Sequence, residues 1–257
     1  MSDDPDARKS ALRERCWAAL ERAGVDRPPG ATGRIPNFEG ARAAAERLAQ
    51  TAYFQAAPLI KCNPDTPQRH VRFQVLQAGK QLLMAIPRLA DTHPFVLLDG
   101  REIDPADRWD AASKSGAIRR GRPVTPAQIG IVTLIVCGAV GVTREGARLG
   151  KGGGFADLEF ALLRGAHKLA NDVPVVTTVH PLQCCAPGSI PMSSNDVPLS
   201  LWCTPDETVM CARRFPRPTA IETGRLTNRD LRAMPPVAAH IANTRPLDAD
   251  DGEPEST

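Results

Sequence analysis

Apolar positions recur in two rhythms along this chain, and the changes of rhythm mark where helices give way to strands. Across 6–23, Leu12, Cys16, Ala19 and Leu20 return near the helical period with arginines and glutamates between them, which predicts an amphipathic helix. The run DRPPGATGRIPN (26–37) breaks that pattern and reads as loop, with Asn37 as cap of an alanine-rich second helix over 40–50. Beyond it the apolar runs become short and continuous. Segments 58–63 (PLIKCN), 81–87 (QLLMAIP), 174–179 and 199–204 predict strands, 93–98 and 208–212 add two more, and 129–137 is the strongest. Helical spacing returns at 68–78 and most clearly at 155–169, where Phe155, Leu158, Leu162, Leu163 and Leu169 share one side. Between 100 and 127 apolar anchors are few, and the stretch reads as a long connection with one short helix near 104–109.

Strands that alternate with helices and lack polar alternation are parallel strands covered on both faces. The pattern therefore predicts a three-layer α/β domain over residues 7–212, a mostly parallel sheet flanked by helices, with no internal repeat. Residues 213–257 are rich in proline and end in a stretch whose last ten residues hold five acids and no base, which predicts a poorly ordered tail.

Composition sharpens this picture by exclusion. Over 257 residues, 42% are hydrophobic and 24% charged, ordinary globular usage that excludes wholesale disorder. A balance of 32 basic against 29 acidic side chains is too even for a dedicated nucleic-acid binder. The best apolar run, 129–142, is broken by Gly130, Gly138 and Gly141 and is too short to span a bilayer. The start, MSDDPDARKS, lacks the apolar stretch of a secretory signal. The expected setting is cytoplasmic, with neither a nucleic-acid nor a membrane partner. Seven cysteines, with no CxxC pair and no histidine at zinc spacing, read as buried reduced thiols.

Candidate chemistry gathers in GARLGKGGGFADLE (146–159), which joins the strongest strand to the strongest helix. Gly150, Gly152, Gly153 and Gly154 let the backbone turn with its N–H groups converging, and the helix start adds the positive end of its dipole. Arg148 and Lys151 add full charge, so the segment has the makings of a phosphate cradle. Neither GxxxxGK[ST] nor GxGxxG spacing is matched. Asp157, in the first helical turn, suits the dipole as a simple cap and is equally the residue type that ligates Mg²⁺ riding on phosphates. Asp196, in SSNDVP ahead of a strand, is either a turn aspartate or a second carboxylate at the same strand ends. The five histidines show no metal spacing, and Ser193 and Ser194 lack the setting of a nucleophile elbow.

GARLGKGGGFADLEFALL resembles the RLGxGxGYYD signature of the 5-formyltetrahydrofolate cyclo-ligase family. Two further blocks stand in the matching order: Lys9-Ser-Ala-Leu-Arg13 resembles the family's K-x-x-L-R helix start, and IPMSSNDVPLSLWCTP resembles its segment near the C-terminus. Within the family, IPNFEGA (35–41), KCNPDTPQ (61–68), LLMAIPRL (82–89) and VPVVTTVH (173–180) are similar to the methenyltetrahydrofolate synthase domain-containing branch, and the resemblance covers about residues 8–212.

The resemblance implies an α/β fold like that of ribose-5-phosphate isomerases and CoA-transferases, a reduced folate substrate, and ATP with Mg²⁺. In the implied reaction the formyl oxygen attacks the γ-phosphate of ATP, and ring closure then expels phosphate. It further implies that Lys9, Arg13, Arg148, Gly150, Lys151, Gly152, Gly153, Gly154 and Phe155 bind the nucleotide, with Arg148 and Lys151 in the catalytic role. Asp157 and Asp196 would hold Mg²⁺, and Asp65, Phe155 and Ala156 would meet the substrate. The chain departs from the signature at its two tyrosines, which are Phe155 and Ala156 here. Lys151 stands where the enzymes often carry arginine, exchanging a fork of donors for a point charge. For the family's substrate-contacting glutamate after the first strand, only Asp65 or Gln68 is at hand. The alternative is a paralogue with altered substrate, or a non-catalytic nucleotide- or folate-binding protein, a branch linked to thiamin metabolism.

Overall fold

Successive side chains of a strand point to opposite faces, so a continuous apolar run serves a sheet that is covered on both sides. The structure, a computed structural model, describes residues 4–86, 89–212, 214–218 and 227–244. Helix α1 (Pro5–Arg22) leads through a small antiparallel pair, β1 (Asp26–Arg27) and β2 (Asn37–Phe38), to α2 (Ala41–Ala49) and α3 (Ala52–Ala56). The central elements follow as β3 (Leu59–Cys62), α4 (Arg69–Gln77), β4 (Gln81–Ala85), β5 (Phe95–Asp99), α5 (Arg108–Ala111), α6 (Lys114–Arg120), β6 (Arg122–Val124) and β7 (Leu134–Val136). A hairpin of β8 (Gly141–Val142) and β9 (Arg148–Leu149) precedes α7 (Phe155–Gly165), and β10 (Val175–Thr178), β11 (Leu201–Cys203) and β12 (Thr208–Met210) complete the sheet.

The eight strands lie in the order β12-β11-β10-β7-β3-β4-β5-β6. From β11 to β4 they are parallel; β12 and β5 run antiparallel to them, and β6, antiparallel to β5, returns to the central direction. Alternation divides the core as expected: Ile60, Leu82, Met84, Leu134, Val136, Val176 and Leu201 pack on one face with Leu48 of α2 and Val71 and Val75 of α4. Leu83, Ala85, Ile135, Val175 and Trp202 pack on the other with Phe160, Leu162 and Leu163 of α7. This is the predicted three-layer α/β architecture.

The crossover β3-α4-β4 runs to one side of β3, and β7-α7-β10 runs to the other, with the two helices on opposite faces. The winding reverses between β3 and β7. Chain leaving the carboxyl ends of those strands diverges there and opens a crevice, which is where open α/β sheets bind ligands.

Five expectations change in detail. The run 26–37, read as loop, holds β1 and the start of β2, so Asn37 pairs in β2 and donates to Pro28 O at 2.9 Å instead of capping α2, whose N-cap is Gly40. Of the run 129–137 only Leu134–Val136 joins the sheet, because Val132 instead pairs with the chain beyond α7, donating to Lys168 O at 2.8 Å and accepting from Ala170 N at 3.1 Å. That pairing also ends α7 at Gly165, short of 169. The connection 100–127 holds two α-helices, α5 and α6, with Ser113 capping α6 through a bond from Gly116 N, and an edge strand. In the segment expected to be a poorly ordered tail, α8 (Asn228–Ala233) and α9 (Pro235–Thr244) are helical, and Met234 and Val237 are buried against the α7 face of the core. Helix α9 supplies what composition concealed, an apolar face behind a proline pair. Residues 245–257, which carry the acidic run, lie outside the described residues. No helix among the described residues is long and apolar enough to cross a membrane.

Packing of α9 is testable at its most buried position. Val237→Asp places a charge in the apolar cluster that α9 shares with α7 and is expected to cost more than about 2 kcal/mol in urea unfolding. A tail detached from the domain would leave stability unchanged.

Candidate functional site

Helix α1 is set up locally by Asp4, which caps it by accepting from Asp6 N at 3.1 Å, and by Pro5 in its first turn. Its buried stripe of Leu12, Cys16, Trp17 and Leu20 fixes its rotation, and that rotation carries Lys9 and Arg13 over the crevice. Lys9 Nζ donates to Asp196 Oδ2 at 2.6 Å, and Arg13 Nε donates to Gly150 O at 2.8 Å. Burial lowers the Arg13 pKa, which the charges of Asp6 and Asp196 oppose. The glycine loop needs its glycines for a specific reason at two positions. Gly152 and Gly154 adopt φ of +107° and +64°, where a side chain would be strained. Gly154 is the N-cap of α7, and no side chain caps that helix, so its first amides keep their capacity to bind an anion.

Beneath the loop lies Arg148, buried on β9. Its Nη2 donates to Asp157 Oδ1, its Nη1 to Gly138 O at 3.3 Å and its Nε to Val197 O at 3.5 Å. Asp157 Oδ1 also accepts from Val197 N at 3.0 Å. Burial pulls the Arg148 pKa down, but the Asp157 charge leads the opposing effects and the net direction is up, so the guanidinium stays charged. For Asp196, burial pushes the carboxyl up, while the bonds from Lys9 and from Ser193 N and Oγ outweigh it and hold it below its ordinary value.

Two cavities open on either side of this pair. The first, about 320 Å³, is lined by Lys9, Arg13, Gly152, Asp196 and the start of α7. The second, about 510 Å³, is lined by Ile35, Asp65, Ile86, Lys151, Phe155 and Ala156, among others. Arg148, Gly150, Gly153, Gly154 and Asp157 border both. Every residue given a nucleotide, metal or substrate role in the sequence thus lines one cavity or the other except Gln68, the alternative to Asp65, which is fully buried and lines neither, and the rest sort by expected role. Lys9, Arg13, Gly152 and Asp196 lie on the first, whereas Asp65, Phe155 and Ala156 lie on the second. Lys151 and Phe155 part from the nucleotide set, since both line the second cavity only; Lys151 Nζ pairs with Asp65 Oδ1 at 2.9 Å. Arg148, expected to be catalytic, has three of its donors committed to protein acceptors and acts as a strut between the cavities.

Among the described residues no group of three or more His, Cys, Asp or Glu could hold a metal ion by itself. Asp157 and Asp196 each spend one oxygen on the bonds above. Among the described residues, Asp157 Oδ2 and Asp196 Oδ1 accept no hydrogen bond, and both carboxylates line the first cavity. That donor set fits Mg²⁺ carried in on phosphates, since this ion takes one or two carboxylates and draws its other ligands from phosphate and water.

Sequence reasoning missed the floor of the second cavity. Lys61 and Glu159 form a buried ion pair, their side chains 1% and 5% exposed. Lys61 Nζ also donates to Asn63 Oδ1 at 3.0 Å, and Asn63 Nδ2 donates to Glu159 Oε2 at 3.4 Å. Burial lowers the Lys61 pKa, but the Glu159 charge leads the effects that outweigh it and the net direction is up; burial pushes Glu159 up against the pull of Lys61. Arg72 then clamps the following loop, donating to Asn63 O, to Asp65 O at 3.1 Å and to Ala112 O at 2.7 Å. The signal was present, because Lys61 interrupts an apolar strand and Glu159 an apolar helix face, and buried charges must be paired. His180 is structural: it caps the turn after β10 by accepting from Leu182 N at 3.2 Å, and its ring meets Phe38 edge-on.

Comparison with known proteins gives the family and the fold. Residues 5–205 match the model of the 5-formyltetrahydrofolate cyclo-ligase family. The methenyltetrahydrofolate synthase domain-containing protein of Mus musculus is 34% identical over 237 residues, covering 91% of this chain and 63% of that protein. Its Homo sapiens counterpart is 30% identical over 218 residues, covering 83% of this chain and 56% of that protein. The chain thus spans about three fifths of the length of these curated relatives. Among solved structures, Aquifex aeolicus 5,10-methenyltetrahydrofolate synthetase aligns with a TM-score of 0.50 at 16% identity over 84% of this chain and 97% of that one, a likeness of fold.

The buried pair gives a stability test that separates pairing from packing. Lys61→Met alone strands Glu159 and is expected to cost about 3–5 kcal/mol in urea unfolding, while Lys61→Met with Glu159→Leu recovers most of it. Equal losses in the single and double variants would mean that the charges are not a pair.

Proposed function

The chain belongs to the 5-formyltetrahydrofolate cyclo-ligase family, and from that premise we propose that it is an ATP- and Mg²⁺-dependent enzyme closing 5-formyltetrahydrofolate to 5,10-methenyltetrahydrofolate. One observation carries the reading: two cavities of different chemistry share a wall made of the glycine loop and the Arg148–Asp157 pair. The first cavity offers the cations of α1 and the glycine-loop backbone ahead of α7 to phosphates. The second offers Phe155, Ile35 and Ile86 to a flat ring, with polar groups on its floor and rim. A γ-phosphate in one and a formyl oxygen in the other meet at the shared wall.

Lys9, Arg13 and the amides at the start of α7 hold the phosphates, and Arg148 fixes Asp157 and the 196–197 loop in place. Lys151, exposed on the rim, is free to exchange Asp65 for a phosphoryl oxygen. Asp157 and Asp196 would hold Mg²⁺ through their open oxygens, and the ion would supply neutralising charge on the phosphates. The formyl oxygen attacks the γ-phosphorus and ADP leaves. N10 then attacks the activated carbon, its proton passes to solvent, and phosphate departs with the former formyl oxygen as the ring closes. Such a reaction asks the protein mainly for positioning and charge stabilisation. All seven cysteines are free thiols, and five are buried as expected, whereas Cys184 is exposed and Cys185 half-buried; unpaired thiols support a cytoplasmic setting.

A second reading, an altered heterocycle in the folate cavity, is favoured by Ala156, which stands where the signature carries a tyrosine, and by Asn63 and Glu159 on the floor of that cavity. A spectrophotometric assay with 5-formyltetrahydrofolate and Mg-ATP decides between them. Product that depends on ATP and falls more than about 100-fold in Asp157→Ala, with folding verified by thermal melting, is the expected result. ATP binding without product would favour the altered substrate, and product formed without ATP would overturn the proposal.

A further inference from the structure

Two sulfurs meet away from both cavities, behind the helix that carries Lys9 and Arg13. Cys16 lies on the buried face of α1 and Cys185 in the loop after β10, with their Sγ atoms 3.7 Å apart. Both sit over Gly141 of β8. A Cβ at that glycine would stand 3.1 Å from Cys185 Sγ and 3.3 Å from Cys16 Sγ, so the missing side chain makes the space in which the sulfurs meet. The loop is pinned from below by Cys185 N donating to Val142 O at 2.7 Å and by Gln183 Nε2 donating to Ala139 O and Val140 O at 2.9 and 3.1 Å. Cys62, Cys137, Cys203 and Cys211 are instead buried in the two faces of the main core.

We propose that Cys16 and Cys185 are an oxidative modification site, at which a low-molecular-weight disulfide converts the thiol pair to an intramolecular disulfide that staples α1 to the layer beneath it. The two thiols have unequal roles. Cys185 is half-buried, and its pKa is lowered first by the bond from Cys16, with Arg15 adding to the effect against burial. The Cys16 pKa is raised, first by that same bond and then by burial. Cys185 loses its proton to solvent and its thiolate attacks one sulfur of the oxidant RSSR, expelling RS⁻, which takes up a proton. Once Cys185 is so capped, the bond that held the proton on Cys16 is gone. Cys16 then attacks Cys185 Sγ, its proton passes to the second RS⁻, and two thiols have been oxidised as one RSSR becomes two RSH.

The closed bond would join positions 169 residues apart and anchor the helix that walls the first cavity. Long loops gain most from such a link, and the melting temperature of the oxidised chain is expected to rise by about 5–10 °C.

The test treats the full chain with oxidised glutathione and reads intact mass, then maps peptides without reduction. The expected product has lost the mass of two hydrogens, carries a peptide joining Cys16 to Cys185, and reverts with dithiothreitol. Cys184→Ser leaves this unchanged, whereas Cys16→Ser stops at a glutathione adduct on Cys185. Gly141→Ala, which crowds the sulfurs without removing either, slows closure. A persistent glutathione adduct on the unsubstituted chain, or a bond between Cys184 and Cys185, would overturn the proposal. So would closure at an unchanged rate in Gly141→Ala with its fold verified by melting.

Discussion

A guanidinium buried under the glycine loop constrains this structure more than any other single group. Removed from water, Arg148 must spend its donors on protein acceptors or cost several kcal/mol. It finds them in Asp157 of α7, in the carbonyl of Gly138 after β7 and in the carbonyl of Val197 before β11. Three segments from separate parts of the chain are thereby held to one atom group. Asp157 returns the constraint by accepting from Val197 N, which also sets the position of neighbouring Asp196. Two cavities share a wall because this one pair stands between them.

Topology puts the pair where it is useful. Reversal of winding between β3 and β7 opens a crevice at the carboxyl ends of the strands, and α1 closes one side of it. The two cavities inherit different walls from this arrangement. Helix α1 and the glycine loop give the first its cations and exposed backbone, whereas the loops after β3 and β4 give the second its mixture of apolar surface and charge. The substitution of Ala156 for a signature tyrosine falls wholly in the second, so under the proposed function it bears on which ring is bound and leaves the phosphate side unchanged.

Much of this was legible in the sequence because the governing patterns are local. Continuous Val/Ile/Leu runs marked the central strands, and a glycine cluster between the best strand and the best helix marked the crevice. What escaped depended on partners distant in sequence. Lys61 and Glu159 each break an apolar pattern, but nothing local says that they meet. The β8–β9 hairpin is too short to show a period. Half of the run 129–137 leaves the sheet for Leu169, a competition that apolarity cannot rank. Helix α9 was concealed by the proline and acidic residues around it, although Val237 packs as deeply as any core residue.

In the proposed reaction the formyl oxygen crosses from one cavity to a phosphate in the other at their common wall. The most direct test uses 5-formyltetrahydrofolate carrying isotopically heavy oxygen in the formyl group, incubated with the full chain and Mg-ATP, with the inorganic phosphate then analysed by mass spectrometry. The account predicts one heavy oxygen in each phosphate released with methenyltetrahydrofolate. Unlabelled phosphate, with the heavy oxygen left in water or formate, would contradict it.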